Sequence, residues 1–78
     1  MIIDIKDTLF LDDENQYIVI SKISYENKIY YYLLDKNNSK NIKFCYEENN
    51  ELIETDNKEL IIKLLPLFVE TAQKNINY

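Results

Sequence analysis

The sequence predicts an α+β fold, a four- to five-stranded antiparallel meander followed by one C-terminal helix that packs on one sheet face. Three observations support this prediction. Short runs of β-branched and aromatic residues alternate with polar turns rich in Asn, Asp and Glu. A clear apolar periodicity of 3.6 residues occurs only near the C-terminus. The 78 residues, 46% of them hydrophobic, suffice for a single small domain over residues 1–78.

Five segments of the chain have the composition of strands, and polar turns separate them. They comprise residues 8–11, 17–25, 29–35, 42–47 and 51–54. In the second segment the apolar phase slips by one residue at Ser21 and Lys22, which predicts a β-bulge. The chain has no glycine, so Asn27 is the best candidate for a left-handed backbone position in the following turn. Residues 1–6 fit either an extra edge strand or an extended arm.

The predicted helix begins with a capping box. Asp56 is the expected N-cap, and Glu59 three residues later completes the box. Because Pro66 lacks the N–H that would bond to the carbonyl of Ile62, we expect a kink or a split there. The apolar stripe of the helix comprises Leu60, Ile61, Leu64, Leu65, Phe68 and Ala72. We expect it to cover the sheet face that carries Ile18, Ile20 and Ile23.

The tyrosine run in the third strand makes both faces of the sheet apolar or aromatic. Side chains alternate along a strand, so Tyr30 and Tyr32 point to one face and Tyr31 and Leu33 to the other. One helix covers only one of these faces. The second face is therefore wrapped by the chain itself, paired with another copy, or available to a partner.

Two groups of side chains are candidates for a partner-binding surface. Tyrosine is enriched at interfaces, so an uncovered sheet face is expected to act as a hydrophobic anchor, unless these rings are ordinary strand residues. The second group is acidic. Residues 44–59 hold six acids against the single base Lys58, which is typical of either a solvated hairpin or a negative patch for a basic partner. The candidate partner-binding residues are Tyr30, Tyr31, Tyr32, Leu33, Glu47, Glu48, Glu51 and Glu54.

The composition argues against several other function classes. With no histidine and a single cysteine, Cys45, the chain has no zinc site of the usual kind, so we expect no metal, no cofactor and no enzyme activity. The net charge of −5, with lysine as the only base, disfavours direct nucleic-acid binding. There is no secretory signal region and no run of about 18 apolar residues. We therefore expect a cytoplasmic protein without a membrane segment or an evident small-molecule substrate.

The hairpin before the tyrosine run has a pattern found in a known family. The segment Tyr25-Glu26-Asn27-Lys28-Ile29-Tyr30 is similar to the Tyr-Glu-Gly-Lys-x-Tyr hairpin of the YrzB-like family of small acidic Firmicutes proteins. Residues 42–44 resemble that family's later strand, and residues 56–60 its helix entry. The resemblance covers residues 9–68 and implies the same fold and a Gram-positive source. The family is a domain of unknown function, so no activity, cofactor or site residue follows from it.

Two functional hypotheses follow. The leading one is a small cytoplasmic, non-catalytic protein-interaction or regulatory module of unknown process. Its partner is another protein or a second copy that forms a homodimer through the open sheet face. The alternative is an acidic inhibitor from a phage or mobile element that docks on a basic groove of a nucleic-acid enzyme.

Overall fold

The computed structural model describes residues 3–75, with side chains through residue 71. It confirms the predicted α+β meander. The elements in chain order are β1 (Thr8–Phe10), β2 (Gln16–Tyr25), β3 (Lys28–Asp35), β4 (Ile42–Glu48), β5 (Glu51–Glu54) and α1 (Lys58–Asn75).

The five strands form one antiparallel sheet whose spatial order, β1-β2-β3-β4-β5, equals the chain order. Two strands therefore lie at its edges, β1 and β5. The register places Tyr31 between Lys22 and Cys45, and Tyr30 between Ile23 and Tyr46. Directly paired residues share a face, so the predicted alternation along the tyrosine run is confirmed.

The predicted β-bulge is present, but it lies earlier in β2 than expected. The register between β2 and β3 shifts between Val19 and Ser21, rather than at Ser21 and Lys22, and Ile20 is the extra residue. Residues on either side of a bulge change phase and the strand bends more strongly. This bend helps β2 to curl the sheet.

Two tight hairpins reverse the chain without glycine. The turn of β2–β3 has φ of 49° at Glu26 and 67° at Asn27, and the turn of β4–β5 has φ of 52° at Asn49 and 62° at Asn50. Two successive positive φ values are the signature of the type I′ turn, which matches the twist of the flanking strands. The prediction for Asn27 is confirmed, and both turns lie at the same end of the sheet.

Helix α1 begins one residue later than predicted. The Oδ1 atom of Asn57, not a carboxylate of Asp56, accepts the N–H of Leu60 at 3.2 Å, so Asn57 is the N-cap. Glu59 then occupies the second helical position and falls outside the capping-box spacing, although its charge still suits the helix start. The helix continues through Pro66 to Asn75 and is not split there.

Helix α1 covers one face of the sheet, which we call the helix-covered face. Leu64 and Phe68 are buried against Tyr30, and this cluster also includes partly buried residues of β2, β3, β4 and α1. Those residues are Ile23, Tyr25, Tyr32, Phe44, Tyr46 and Leu60. The rings of Tyr32 and Phe44 lie 5.9 Å from that of Phe68 between centroids. The helix thus packs on the side of Ile23, as predicted, whereas Ile18 and Ile20, which were expected on the same covered face, are half-buried outside this cluster.

The chain itself closes the second face, which we call the self-closed face. Its buried cluster comprises Ile3, Tyr17, Val19, Tyr31, Leu33 and Cys45. Leu9 of β1 and Leu52 of β5 both pack against this cluster although they belong to opposite edge strands. The sheet therefore curls until its two edges approach each other.

This closure selects the first of the three alternatives for the second face. Tyr31 and Leu33 have no exposed area, and Tyr30 lies under the helix with 6% of its area exposed. The expectation of an open sheet face is thus corrected: these three residues form neither an exposed anchor nor an open dimer surface. Tyr32 is half-buried.

Residues 3–7 form an arm rather than an extra strand; residues 1 and 2 lie outside the described part of the chain. The arm is fixed to β2 at two places. The N–H of Lys6 donates to the carbonyl of Val19 at 2.8 Å, and the ammonium of Lys22 donates to the carbonyl of Ile3 at 2.8 Å. The arm thereby places the Ile3 side chain on the self-closed face.

Candidate functional site

An apolar groove lies where the two edges of the curled sheet approach each other. It has a volume of about 400 Å³. Ile3 of the arm, Leu9 of β1, Leu11 after it and Leu52 of β5 contribute apolar surface to its lining. All four pack against the self-closed face, so the groove is a continuation of the core towards solvent. Its volume falls within the range of about 300–1,000 Å³ that ligand-binding clefts span.

Phe10 borders this groove and is the most exposed large apolar residue in the described part of the chain, at 73%. Leu9 and Leu11 point to the core, so Phe10 between them points away from it. A single exposed apolar residue has no special meaning on a protein surface. Phe10 differs because it stands beside an apolar groove on an edge strand.

The backbone of β1 offers hydrogen-bonding groups to a further strand. Leu11 donates its N–H to the carbonyl of Asn15, just before β2, and Val19 of β2 donates its N–H to the carbonyl of Asp7, just before β1. These two bonds extend the β1–β2 ladder at its ends, so Asp7, Leu9 and Leu11 are the hydrogen-bonded positions. Bonded and non-bonded pairs alternate in an antiparallel ladder. The N–H and C=O groups of Thr8 and Phe10 therefore point away from β2, towards the open side of the edge.

The edge of β5 likewise offers backbone hydrogen-bonding groups to a further strand. Thr55 donates its N–H to the carbonyl of Phe44 at 2.8 Å, which makes this pair a bonded one. By the same alternation along the register of β4 and β5, the backbone groups of Leu52 and Glu54 point away from β4. Both walls of the groove thus carry outward peptide groups.

Acidic side chains predominate along the rim of the groove. Asp12 lines it directly, and Asp7 flanks β1 on the other side. Glu51 and Glu54 lie on β5, and all four carboxylates are exposed. The Glu54 carboxylate accepts a hydrogen bond from Lys43 at 2.9 Å, which raises the pKa of Lys43. The rim therefore favours cationic groups.

The structure separates the tyrosine candidates by their hydroxyl partners. The hydroxyl of Tyr31 donates to the carboxylate of Glu47 on the neighbouring strand. Burial, followed by the bond to Glu47, raises the pKa of Tyr31 above its ordinary value. Tyr31 and Glu47 are therefore a structural pair across β3 and β4, rather than members of a docking surface.

The four acidic candidates are likewise divided. Glu47 binds Tyr31, and Glu54 binds Lys43, so each has a partner within the chain. Glu48 and Glu51 are exposed and lie opposite each other at the end of the β4–β5 hairpin. Only these two form a pair of neighbouring exposed acids among the four.

A partly buried polar network at the opposite end of the sheet was not expected from the sequence. The Tyr17 hydroxyl donates to Asp13 at 2.6 Å and accepts from the Asn41 amide at 2.9 Å, while Asn41 also donates to Asp35. The hydrogen bond from Tyr17 lowers the pKa of Asp13, and burial raises the pKa of Tyr17. The network joins two loops and leaves the Tyr17 hydroxyl satisfied, so we interpret it as structural.

Cys45 is buried on the self-closed face. Burial raises the pKa of its thiol to about 11, so little thiolate is present at neutral pH. Within residues 3–75 no group of three or more His, Cys, Asp or Glu side chains is arranged to hold a metal ion. Over the same residues, no helix has the length and apolarity needed to cross a membrane.

A second exposed apolar feature runs along the outer side of α1. Ile62 and Val69 are 68% and 48% exposed, and Pro66 is exposed between them. The spacing of four and three residues places them in one stripe. None of these three residues lines the groove between β1 and β5, and none lies on a strand.

The groove residues were missed by sequence reasoning, although one signal was present. The alternation of Leu9 and Leu11 around Phe10 marks a strand with one buried side. The pattern does not show that Leu52 lies near β1. Leu52 is more than 40 residues away in the chain and meets β1 only because the sheet curls.

Comparisons of the chain with protein-family models, with curated proteins and with solved structures found no match.

Proposed function

We propose that this chain is a small, non-catalytic protein-interaction module of the cytoplasm that binds a segment of a partner protein in the groove between β1 and β5. The observation that carries the proposal is the apolar groove itself, bordered by two open strand edges. Among the described residues, both sheet faces are already used for packing within the chain, whereas the groove is a concave surface with apolar lining that no part of this packing fills.

The proposal can be tested with a photo-crosslinking amino acid placed at Phe10. Ile62 on α1 provides a matched control because its exposure, 68%, is close to the 73% of Phe10. In cells of the source organism, we expect a discrete protein adduct from position 10 and none from position 62. Adducts from position 62 alone would place the binding surface on α1, and no adduct from either would contradict an interaction module.

A second candidate is the acidic inhibitor that docks on a basic groove of a nucleic-acid enzyme. It is supported by Glu48 and Glu51, because like charges directly opposite each other in a sheet cost stability and a basic partner would relieve that cost. Glu26 lies in the adjacent turn at the same end of the sheet. This function predicts binding that weakens steeply with salt and is lost in Glu48→Gln/Glu51→Gln. Salt-insensitive binding would contradict it.

The similarity to the YrzB-like family remains a proposal that rests on the hairpin from Tyr25 to Tyr30, on residues 42–44 and on residues 56–60. It adds no activity to either candidate function.

A further inference from the structure

We infer that the groove takes an extended segment in which apolar and basic residues alternate, bound as an added strand antiparallel to β1. The inference rests on the proposed function and specifies the chemistry of the partner. It follows from the direction of the edge strands, the apolar lining of the groove and the charge of its rim.

The backbone geometry favours an extended segment over a helix. Thr8 and Phe10 on β1, and Leu52 and Glu54 on β5, direct their peptide groups away from the sheet. A helix uses its own peptide groups internally and leaves these unpaired, whereas an added strand bonds to them. Strand addition is therefore the mode that matches this edge.

The direction of the added strand follows from the antiparallel pairing of the five strands. Each of the four pairings in the sheet is antiparallel, so β1 and β5 point the same way. A strand that runs antiparallel to β1 consequently runs antiparallel to β5 as well. One segment can thus face both walls of the groove with the same chain direction.

Apolar and basic residues should alternate in the segment because its side chains point in turn into the groove and out to solvent. Residues that point into the groove meet Ile3, Leu9, Leu11 and Leu52, which favours aliphatic side chains. Residues that point outwards meet the opposite side of the two edges, where Asp12 follows β1 and Glu51 lies on β5, both exposed. No ion pair involves Asp12 or Glu51 among the described residues. This charge favours lysine or arginine at the alternate positions.

The same charge argues against a second copy as the occupant. Each chain carries a net charge of −5, so two copies repel each other, whereas a basic segment is attracted. A second copy is nevertheless a distinct outcome of the test described next.

The probe is a fluorescein-labelled peptide of about nine residues in which valine and lysine alternate, with both ends neutral. Its binding is measured by fluorescence anisotropy, next to a valine–glutamate peptide and an N-methylated valine–lysine peptide. We expect the valine–lysine peptide to bind at least about tenfold more tightly than either control, and its affinity to fall with salt.

Two variants of the protein test the role of the β1 edge. In Thr8→Pro the outward N–H is replaced by a ring, while the bonds of Leu9 to β2 remain; proline is tolerated at such an edge position. We expect the affinity to fall at least about tenfold in Thr8→Pro and by less than about twofold in Thr8→Ala, which keeps the N–H and removes only part of a lining side chain. If Thr8→Pro does not fold, the N-methylated peptide still tests strand addition.

The outcomes separate the inference from the proposed function. Equal binding of the valine–glutamate peptide overturns the basic partner, and equal binding of the N-methylated peptide overturns strand addition. A dimer in sedimentation analysis that is lost in Thr8→Pro identifies a second copy as the occupant and overturns the basic segment. Adducts from position 10 without any peptide binding overturn the inference and leave the proposed function intact.

Discussion

The two faces of the sheet are closed by different means, although both are rich in tyrosine. The helix-covered face is sealed by Leu64 and Phe68, which are supplied by a separate element. The self-closed face is sealed by curvature, and its two fully buried tyrosines, Tyr17 and Tyr31, each donate a hydroxyl hydrogen bond to a carboxylate. A face closed by an added helix thus relies on ring packing, whereas a face closed by the sheet itself relies on paired polar groups as well.

The largest loss of stability is expected from a substitution on the helix-covered face. Phe68→Ala removes a fully buried ring that contacts Tyr32 and Phe44, and we expect the free energy of unfolding to fall by about 3–5 kcal/mol. Urea denaturation followed by circular dichroism measures this change. The neighbouring exposed residue provides the control, since Val69→Ala should change stability by less than about 0.5 kcal/mol. Equal losses in both variants would mean that α1 does not seal the sheet through Phe68.

A smaller effect is expected from the hydroxyl of Tyr31 on the self-closed face. Tyr31→Phe keeps the ring but removes the hydrogen bond to Glu47, so we expect a loss of about 1–2 kcal/mol. In Tyr32→Phe on the helix-covered face, the ring contacts remain, and we expect little change in the denaturation midpoint. If the two variants lose the same stability, the two faces do not differ in their dependence on polar pairs.

Alkaline pH should weaken the self-closed face. Burial raises the pKa of Cys45 from 9.0 to about 11, and it also raises the pKa values of Tyr17 and Tyr31 above 10.0. Between pH 9 and 11 the unfolded chain releases the thiol proton while the folded chain retains it, so stability falls as pH rises. In Cys45→Ala we expect this fall to begin near pH 10 instead of pH 9, as measured by urea midpoints across this range. An unchanged onset would exclude the thiol as its source.

The smallest predicted change in the free energy of unfolding is an increase. The Ser21 hydroxyl is buried beside Tyr32, and no group of the described residues forms a hydrogen bond with it, which is unfavourable. Ser21→Ala removes this oxygen, and we expect the free energy of unfolding to rise by up to about 1 kcal/mol. The exposed Ser24 on the same strand provides the control, because Ser24→Ala should have almost no effect. A clear loss in Ser21→Ala would show that the hydroxyl has a partner, for example water.

Local patterns predicted most of the fold. The alternation of side chains along a strand predicted that the tyrosine run contributes to both sheet faces. The phase slip in β2 predicted a bulge close to its observed position between Val19 and Ser21. The helix cap was predicted one residue too early because Asp56 and Asn57 are both good caps, and only the backbone geometry selects Asn57.

The closure of the second face and the groove were not predictable in the same way. Both depend on how far the sheet curls, a sum of twist and bulge over five strands that brings Leu9 and Leu52 together. Lys43, Cys45 and Glu47 share one face of β4, and two charged residues in three would indicate a polar side, yet this face is turned inwards. Curvature buries Cys45, and the two charged residues become partners of Glu54 and Tyr31.

The meander order has a consequence for the sequence of folding events. Every strand pairs only with its neighbours in the chain, so the hairpins form from short-range contacts and close early and fast. The meeting of β1 with β5 spans most of the sheet and must come late, because it requires the curl to be complete. The region assembled last has the fewest interlocking contacts, so we expect its amides to exchange with solvent first. A partner segment that binds there would hold β1 and β5 together and slow the exchange of these amides.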